Sequence, residues 1–284
     1  ESSFGTAYRG RTRSSCVIDQ VIEAVREAGD LSLQAFGGIR RADVGFKGDV
    51  DLVTQMDRTV ENLLRKRLAA VRPRAAFVGE ETSDGTVIES DHCFVVDPID
   101  GTTNFVHAHP FYAVSVAYRR EGRTLLGVVY APALQELYVA QAGEGAEKDG
   151  RPLHVSQTDT LIEALAATGF ACVRQRVTPN NLPLFQRAVY ATRGVRRAGS
   201  AAIDLCYLAE GRLDLYWEYN LRPWDFAAGM LIVREAGGRV TDFDGSGTTA
   251  DMEKNRQILA TNGKLHTPFL NLIASIEKNG DEAP

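Results

Sequence analysis

Cysteine is scarce in this chain of 284 residues: there are four, Cys16, Cys93, Cys172 and Cys206. None pairs with another at C-x-x-C spacing, and most have apolar neighbours. Reduced, buried thiols of a cytoplasmic protein are the favoured reading, with disulfides the lesser alternative. No apolar run is long enough to span a membrane, and no signal-peptide pattern is visible. The chain opens at Glu1 rather than Met, and residues 1–13 are polar and read as a loose lead-in. There is no internal repeat, low-complexity tract or linker, so the two halves, residues 1–155 and 156–284, are expected to pack together. Positive charge is not in excess. Lys and Arg number 32 against 37 Asp and Glu, a net charge of −5, which argues against a nucleic-acid backbone as the main ligand.

What is present fits an ordinary globular core: 44% hydrophobic and 24% charged residues. Val17, Ile18, Val21, Ile22, Val25 and Ala28 recur at helical spacing. A loop carrying two glycines and Lys47 is expected over residues 44–51. Val60, Leu63, Leu64 and Leu68 mark a second helix over residues 56–70, which Pro73 ends. Residues 75–78 read as a short strand stopping at Gly79-Glu80-Glu81. Residues 93–96 read as a buried strand. Residues 113–118, 124–131 and 136–140 read as an antiparallel meander, followed by a turn-rich hairpin over 143–150.

Beyond residue 155 strands and helices alternate. Strands are expected over 161–168, 213–217, 238–242 and 257–260, and helices over 183–192, 200–209, 224–236 and from 267 onward. Gly237-Gly238 suits the C-terminal turn of the third of these helices. The pattern as a whole is α+β in the first half and α/β in the second.

The most informative stretch is Asp97-Pro98-Ile99-Asp100-Gly101-Thr102-Thr103-Asn104-Phe105. A strand delivers two carboxylates to its C-terminal end, and the backbone N–H groups around Gly101 and Thr102 then face an anion at a helix start. Acids for a hard cation beside donors for an anion suggest metal-assisted phosphate chemistry. Five acids stand out by position: Asp57, Glu80, Asp97, Asp100 and Asp225. If they converge, they cannot all stay ionised without a cation. Oxygen ligands favour Mg²⁺ or Mn²⁺, and the lack of paired His or Cys ligands argues against zinc. Each acid also has a plainer reading: a lone Asp as a helix cap, Glu80 with Glu81 as a solvated charge pair, and Asp97 with Asp100 as an Asx-type turn.

These motifs resemble the inositol monophosphatase family of lithium-sensitive, magnesium-dependent phosphatases. Asp97 to Phe105 is similar to its D-P-I-D-G-T-T-N-F signature. Trp224-Asp225-Phe226-Ala227-Ala228-Gly229 resembles its W-D-x-A-A-G motif, with Gly237-Gly238 at the family's distance. Gly79-Glu80-Glu81 and Asp51-Leu52-Val53-Thr54 with Asp57 match two further elements. The Leu221-to-Phe226 stretch looks like bacterial members.

The resemblance implies a layered αβαβα sandwich of the inositol monophosphatase and fructose-1,6-bisphosphatase type. It also implies roles. Glu80, Asp97 and the Ile99 carbonyl would hold one metal, and Asp97, Asp100 and Asp225 a second. Glu80 would hold a weaker third. Asp57 and Thr102 would orient and help deprotonate the attacking water, with Glu80 beside them. Ile99, Asp100, Gly101, Thr102 and Asp225 would meet the substrate, and Gly199, Ser200 and Ala201 would line its pocket. Glu218 would bind polyol hydroxyls. Lys47 would lie in a mobile loop over the site.

Hydrolysis of a phosphorylated polyol, foremost myo-inositol monophosphate, follows as the expected activity. Fructose-1,6-bisphosphate, histidinol phosphate and 3′(2′),5′-bisphosphate nucleotides are the alternatives. A homodimer is implied, and in bacterial members a contact with transcription machinery.

Four signals are weighed and set aside. Asp242-Phe243-Asp244-Gly245-Ser246-Gly247, running on to Glu253, has EF-hand spacing but follows a strand rather than a helix, so a plain turn is expected. His107 and His109 read as loop residues at the pocket mouth. Arg193, Arg196 and Arg197 read as a solvated turn, with a phosphate or subunit contact as alternatives. Asp204, inside an expected helix, is left out of the site.

Overall fold

A computed structural model describes residues 13–38, 44–47, 51–83 and 92–279. The first half runs α1 (Arg13–Ala35), β1 (Val44–Lys47), β2 (Asp51–Thr54), α2 (Gln55–Val71), β3 (Ala76–Gly79), β4 (His92–Asp100), α3 (Thr102–Val106), β5 (Ala113–Arg120), β6 (Arg123–Ala131), β7 (Glu136–Gln141), β8 (Gly145–Lys148) and β9 (Arg151–Pro152). The second half runs β10 (Leu165–Thr168), α4 (Ala171–Arg174), α5 (Leu182–Ala191), β11 (Gly194–Arg196), α6 (Ala201–Ala209), β12 (Leu215–Tyr219), α7 (Pro223–Glu235), β13 (Arg239–Thr241), α8 (Thr249–Asn255), β14 (Gln257–Thr261) and α9 (His266–Asn279).

Strands β3 to β9 form a seven-stranded sheet in sequence order, antiparallel except for the parallel β3–β4 pair. A five-stranded mixed sheet has the order β11-β10-β12-β14-β13. Helices α1 and α2 cover one face of the larger sheet, where Val25, Val60, Leu64 and Leu68 meet Val96, Val114 and Val128. Helices α6 and α7 fill the space between the sheets, and α5 and α9 cover the far face of the smaller one. Each sheet is thus apolar on both faces and buried on both, which gives the five layers αβαβα.

Helix α7 is buried nearly all round, from Trp224 through Val233 apart from Asp225, as a helix between two sheets must be. Its small residues set the spacing. A Cβ at Gly229 would fall 2.7 Å from Leu205 of α6, and one at Gly127 of β6 would fall 2.7 Å from the Ala228 carbonyl.

Strand β4 carries a bulge where it matters. Asp97 pairs with Ser115 and Asp100 with Ala113, so three residues on one side span two on the other. In a regular strand, residues three apart point to opposite faces. Ser115 and Ala113 are two apart and share a face, so the extra residue brings Asp97 and Asp100 onto one face. Pro98, with no N–H to lose, is suited to the break in pairing.

Three expectations are corrected. The loop expected over residues 44–51 is in part a hairpin: β1 pairs antiparallel with β2, Val44 opposite Thr54 and Lys47 opposite Asp51. The expected 161–168 strand begins as a 3₁₀ turn at Leu161–Glu163 and extends only from Leu165. Helices α4 and α8 and strand β11 were not expected; each is at most seven residues long, too short to show a period.

Candidate active site

Asp57 is the third residue of α2 and closes its N-terminus. Its Oδ2 accepts the Thr54 N–H at 2.7 Å and the Thr54 hydroxyl at 2.6 Å, while Thr54 Oγ1 accepts the Met56 and Asp57 N–H groups. This is a capping box, the reason the D-L-V-T-x-x-D segment turns from strand to helix there. The other oxygen, Oδ1, lies 3.2 Å from the Thr102 hydroxyl, which is equally 3.2 Å from the Ile99 carbonyl. One hydroxyl proton thus has two acceptors, so Thr102 can switch between the acid and the backbone.

Glu80 follows β3, its N–H bonded to the Val96 carbonyl at 3.1 Å. The buried Glu61 of α2 clasps this turn: it accepts the Glu81 N–H at 2.8 Å and the Thr82 hydroxyl at 2.6 Å. A Cβ at Gly79 would sit 2.2 Å from Glu61 Oε2, so the approach requires glycine.

Asp97 is nearly fully buried and accepts the Ile99 N–H at 3.0 Å. Burial pushes its carboxyl well above the usual range, and the charges of Glu80, Asp100 and Asp225 push it further. Asp225, third residue of α7, accepts the Arg222 N–H at 2.6 Å; burial and Glu80 raise it too, against that hydrogen bond. Asp100 is raised to about 6 by burial, with Ser200 and the Ala202 N–H opposing the shift. Those two donors meet Asp100 Oδ2 at 2.5 and 2.7 Å. Ser200 is also the N-cap of α6, accepting the Ile203 N–H. Its hydroxyl therefore positions Asp100 as well as standing beside the pocket that Gly199 and Ala201 were expected to line.

Gly101 has φ 93°, a backbone that only glycine adopts without strain, and a Cβ there would come within 3.0 Å of the Gly199 carbonyl. Asn104 stitches the same seam: its Nδ2 donates to the Phe111 carbonyl at 2.6 Å and to the Ala198 carbonyl at 2.8 Å. Glu218 of β12 is buried, and its carboxyl is raised to about 7 by desolvation, opposed by the Tyr216 hydroxyl and by Arg197. The buried Asp204 lies in the same electrostatic neighbourhood: burial, Glu218 and Asp100 raise its carboxyl. Lys47 ends β1, and its side chain lies outside the described residues.

Four acids from three separate stretches thus share one low-dielectric space and repel one another. All their donor atoms are oxygen, the set that suits a hard divalent cation. Among the described residues no three acidic, histidine or cysteine side chains stand gathered as a ready coordination shell. The fit to a cation rests on donor chemistry and mutual repulsion, with Asp97 feeling all three other charges. His107 and His109 are exposed. Asp242 is bound into a turn by the Asp244 and Ser246 N–H groups, as expected of a non-EF-hand turn, and Glu253 pairs with Arg119.

A family-wide sequence profile, that of the inositol monophosphatase family, matches residues 13–278. The chain belongs to the inositol monophosphatase family. Among its relatives, an inositol-1-monophosphatase of Mesorhizobium japonicum is 38% identical, over 91% of this chain and 96% of that protein. The Nus factor SuhB of Pseudomonas aeruginosa is 40% identical, over 90% and 95%. The crystal structure of the extragenic suppressor protein suhB from Bartonella henselae superposes with a TM-score of 0.84 at 36% identity, over 93% of this chain and 99% of that one. Membership makes the chain a phosphoric monoester hydrolase.

Sequence reasoning placed Asp57, Glu80, Asp97, Asp100, Thr102 and Asp225 in one site. The structure brings Asp57 to Thr102, and Glu80, Asp97, Asp100 and Asp225 within electrostatic reach of one another. Sequence reasoning missed Glu61, which clasps the turn after Glu80, and Tyr216, which bonds Glu218; neither stands in a motif.

Proposed function

We propose that this chain hydrolyses a phosphorylated polyol, myo-inositol monophosphate foremost, with Mg²⁺ held by Glu80, Asp97, the Ile99 carbonyl, Asp100 and Asp225. The observation that carries the reading is the repulsion among buried Asp97 and Asp100 and half-buried Asp225 and Glu80. Mg²⁺, when bound, supplies positive charge that stabilises the phosphate and makes a water nucleophilic near neutral pH.

The protein's own groups do the rest. Asp57 and Thr102 orient that water, with Asp57 Oδ1 as the proton acceptor. The α3 start at Gly101 and Thr102 offers N–H groups to the phosphate. Glu218, a buried acceptor, favours a substrate with hydroxyls over one without. Fructose-1,6-bisphosphate, histidinol phosphate and bisphosphate nucleotides are the rivals, and Glu218 favours the substrates richest in free hydroxyls, the polyol foremost.

Replacing Asp97 with Asn is expected to abolish Mg²⁺-dependent phosphate release while far-ultraviolet dichroism stays native. Full activity in that variant would refute the assignment. A screen over inositol phosphates, sugar bisphosphates and nucleotide bisphosphates, with and without Mg²⁺, ranks the substrates.

A second reading rests on the relatives named as Nus factors: a cytoplasmic, dimeric protein that also contacts transcription machinery. Capture of RNA polymerase and its elongation factors by an Asp225→Asn variant would separate that role from hydrolysis.

A further inference from the structure

Glu218 does not stand alone on β12. The Tyr216 hydroxyl donates to its Oε2 at 2.5 Å, from two residues back and hence the same face of the strand. Tyr216 is fully buried. From the other side comes the backbone of Gly169. A Cβ built there would lie 2.0 Å from Glu218 Oε1 and 2.3 Å from Oε2, so the carboxylate is pressed against the bare glycine. Gly169 is not among the positive-φ glycines, so its backbone would accept an L-residue and only the side-chain contact forbids one.

Gly169 is itself pinned to the same strand. The buried Asn181 donates to the Gly169 carbonyl at 2.7 Å and to Thr168 Oγ1 at 2.6 Å, and accepts the Trp217 indole N–H at 2.5 Å. Thr168 Oγ1 closes the ring on the Trp217 carbonyl at 2.6 Å. The glycine that meets Glu218 is thus tied to the residue preceding Glu218, and the carboxylate is fixed relative to its own strand.

We infer that Tyr216 and Gly169 are specificity-determining positioning residues: they hold the Glu218 carboxylate as a fixed acceptor for substrate hydroxyls, selecting phosphorylated polyols over hydroxyl-free phosphomonoesters. The inference rests on the proposed placement of Glu218 against substrate. A fixed acceptor keeps its hydrogen-bond energy because no rotamer freedom is lost on binding, whereas a loose one surrenders part of it.

The test compares kcat and KM for myo-inositol monophosphate and p-nitrophenyl phosphate, at saturating Mg²⁺, in the wild type, Tyr216→Phe, Gly169→Ala and Glu218→Gln. Tyr216→Phe removes only the hydroxyl donor; Gly169→Ala keeps every donor and displaces the carboxylate. Both are expected to raise KM for inositol monophosphate about tenfold, the scale of one hydrogen bond to a charged group. Their turnover of p-nitrophenyl phosphate is expected to stay within about twofold of wild type, which also reports an intact fold. Equal losses on both substrates, or an unchanged KM for inositol monophosphate, would overturn the inference. If Glu218→Gln discriminates between the substrates and the other two do not, only this inference falls. If Glu218→Gln does not discriminate, the placement of Glu218 against substrate falls with it.

Discussion

Asp57 does two jobs with two oxygens. Oδ2 caps α2 through Thr54, and Oδ1 faces Thr102. The two are separable. Asp57→Asn is expected to lower kcat by roughly 10²–10⁴, the usual contribution of a positioned base. Asp57→Ala, which removes the cap as well, is expected to cost about 1–2 kcal/mol of stability by urea denaturation. A kcat unchanged in Asp57→Asn would remove it from the chemistry. The acids were legible in the sequence because they stand where apolar strands stop or helices start, positions a solvated face does not need. Tyr216, Gly169 and Asn181 were not. Gly169 matters only because Glu218, far along the chain, comes to rest on it, and no local spacing records that contact. Asp204 was left out for a like reason: its place inside an apolar helix is plain, but its nearness to Glu218 needs the packed layers.

The long helices were read from their periodicity, and the meander from its alternation, because burial on one face imposes those periods directly. Strand β1 was missed because its four residues, Val44-Gly45-Phe46-Lys47, gain their strand state from pairing with β2. The bulge of β4 was hidden too, although Pro98 hinted at it, and without the bulge Asp97 and Asp100 would face apart. Packing of α7 depends equally on atoms that are missing. Gly127→Ala would drive a methyl to 2.7 Å from the Ala228 carbonyl, forcing α7, and Asp225 with it, away from β6. A loss of about 1–3 kcal/mol in stability is expected, together with weaker Mg²⁺ dependence of activity. Stability within 0.5 kcal/mol of wild type would contradict the close approach. Ser200→Ala tests the other helix that reaches the site. Losing the α6 cap is expected to cost about 1 kcal/mol, and kcat should fall because Asp100 loses a donor that fixes it.

The five layers put the acid-bearing β4, the α7 start and the α6 start around one space between the two sheets, where burial makes the carboxylates reluctant to ionise. That reluctance has a sign. Asp100 is raised to about 6 and Glu218 to about 7, above the ordinary carboxylate value near 4. Between those limits the folded protein binds more protons than the unfolded chain, so stability is fullest below about pH 4 as far as these groups go and is lost as pH rises through 7. The metal-free protein is therefore expected to melt at a higher temperature at pH 5.5 than at pH 7.5, and Mg²⁺ is expected to narrow the gap by favouring the ionised acids. Calorimetric titration of Mg²⁺ into the metal-free protein at pH 6.5, in buffers of different ionisation enthalpy, reads the binding and its protons together. The expected result is saturable heat with net proton release in the wild type and its loss in Asp97→Asn. Equal heats in the two proteins, or binding without proton release, would contradict the claim that these buried, mutually repelling carboxylates are where the cation sits.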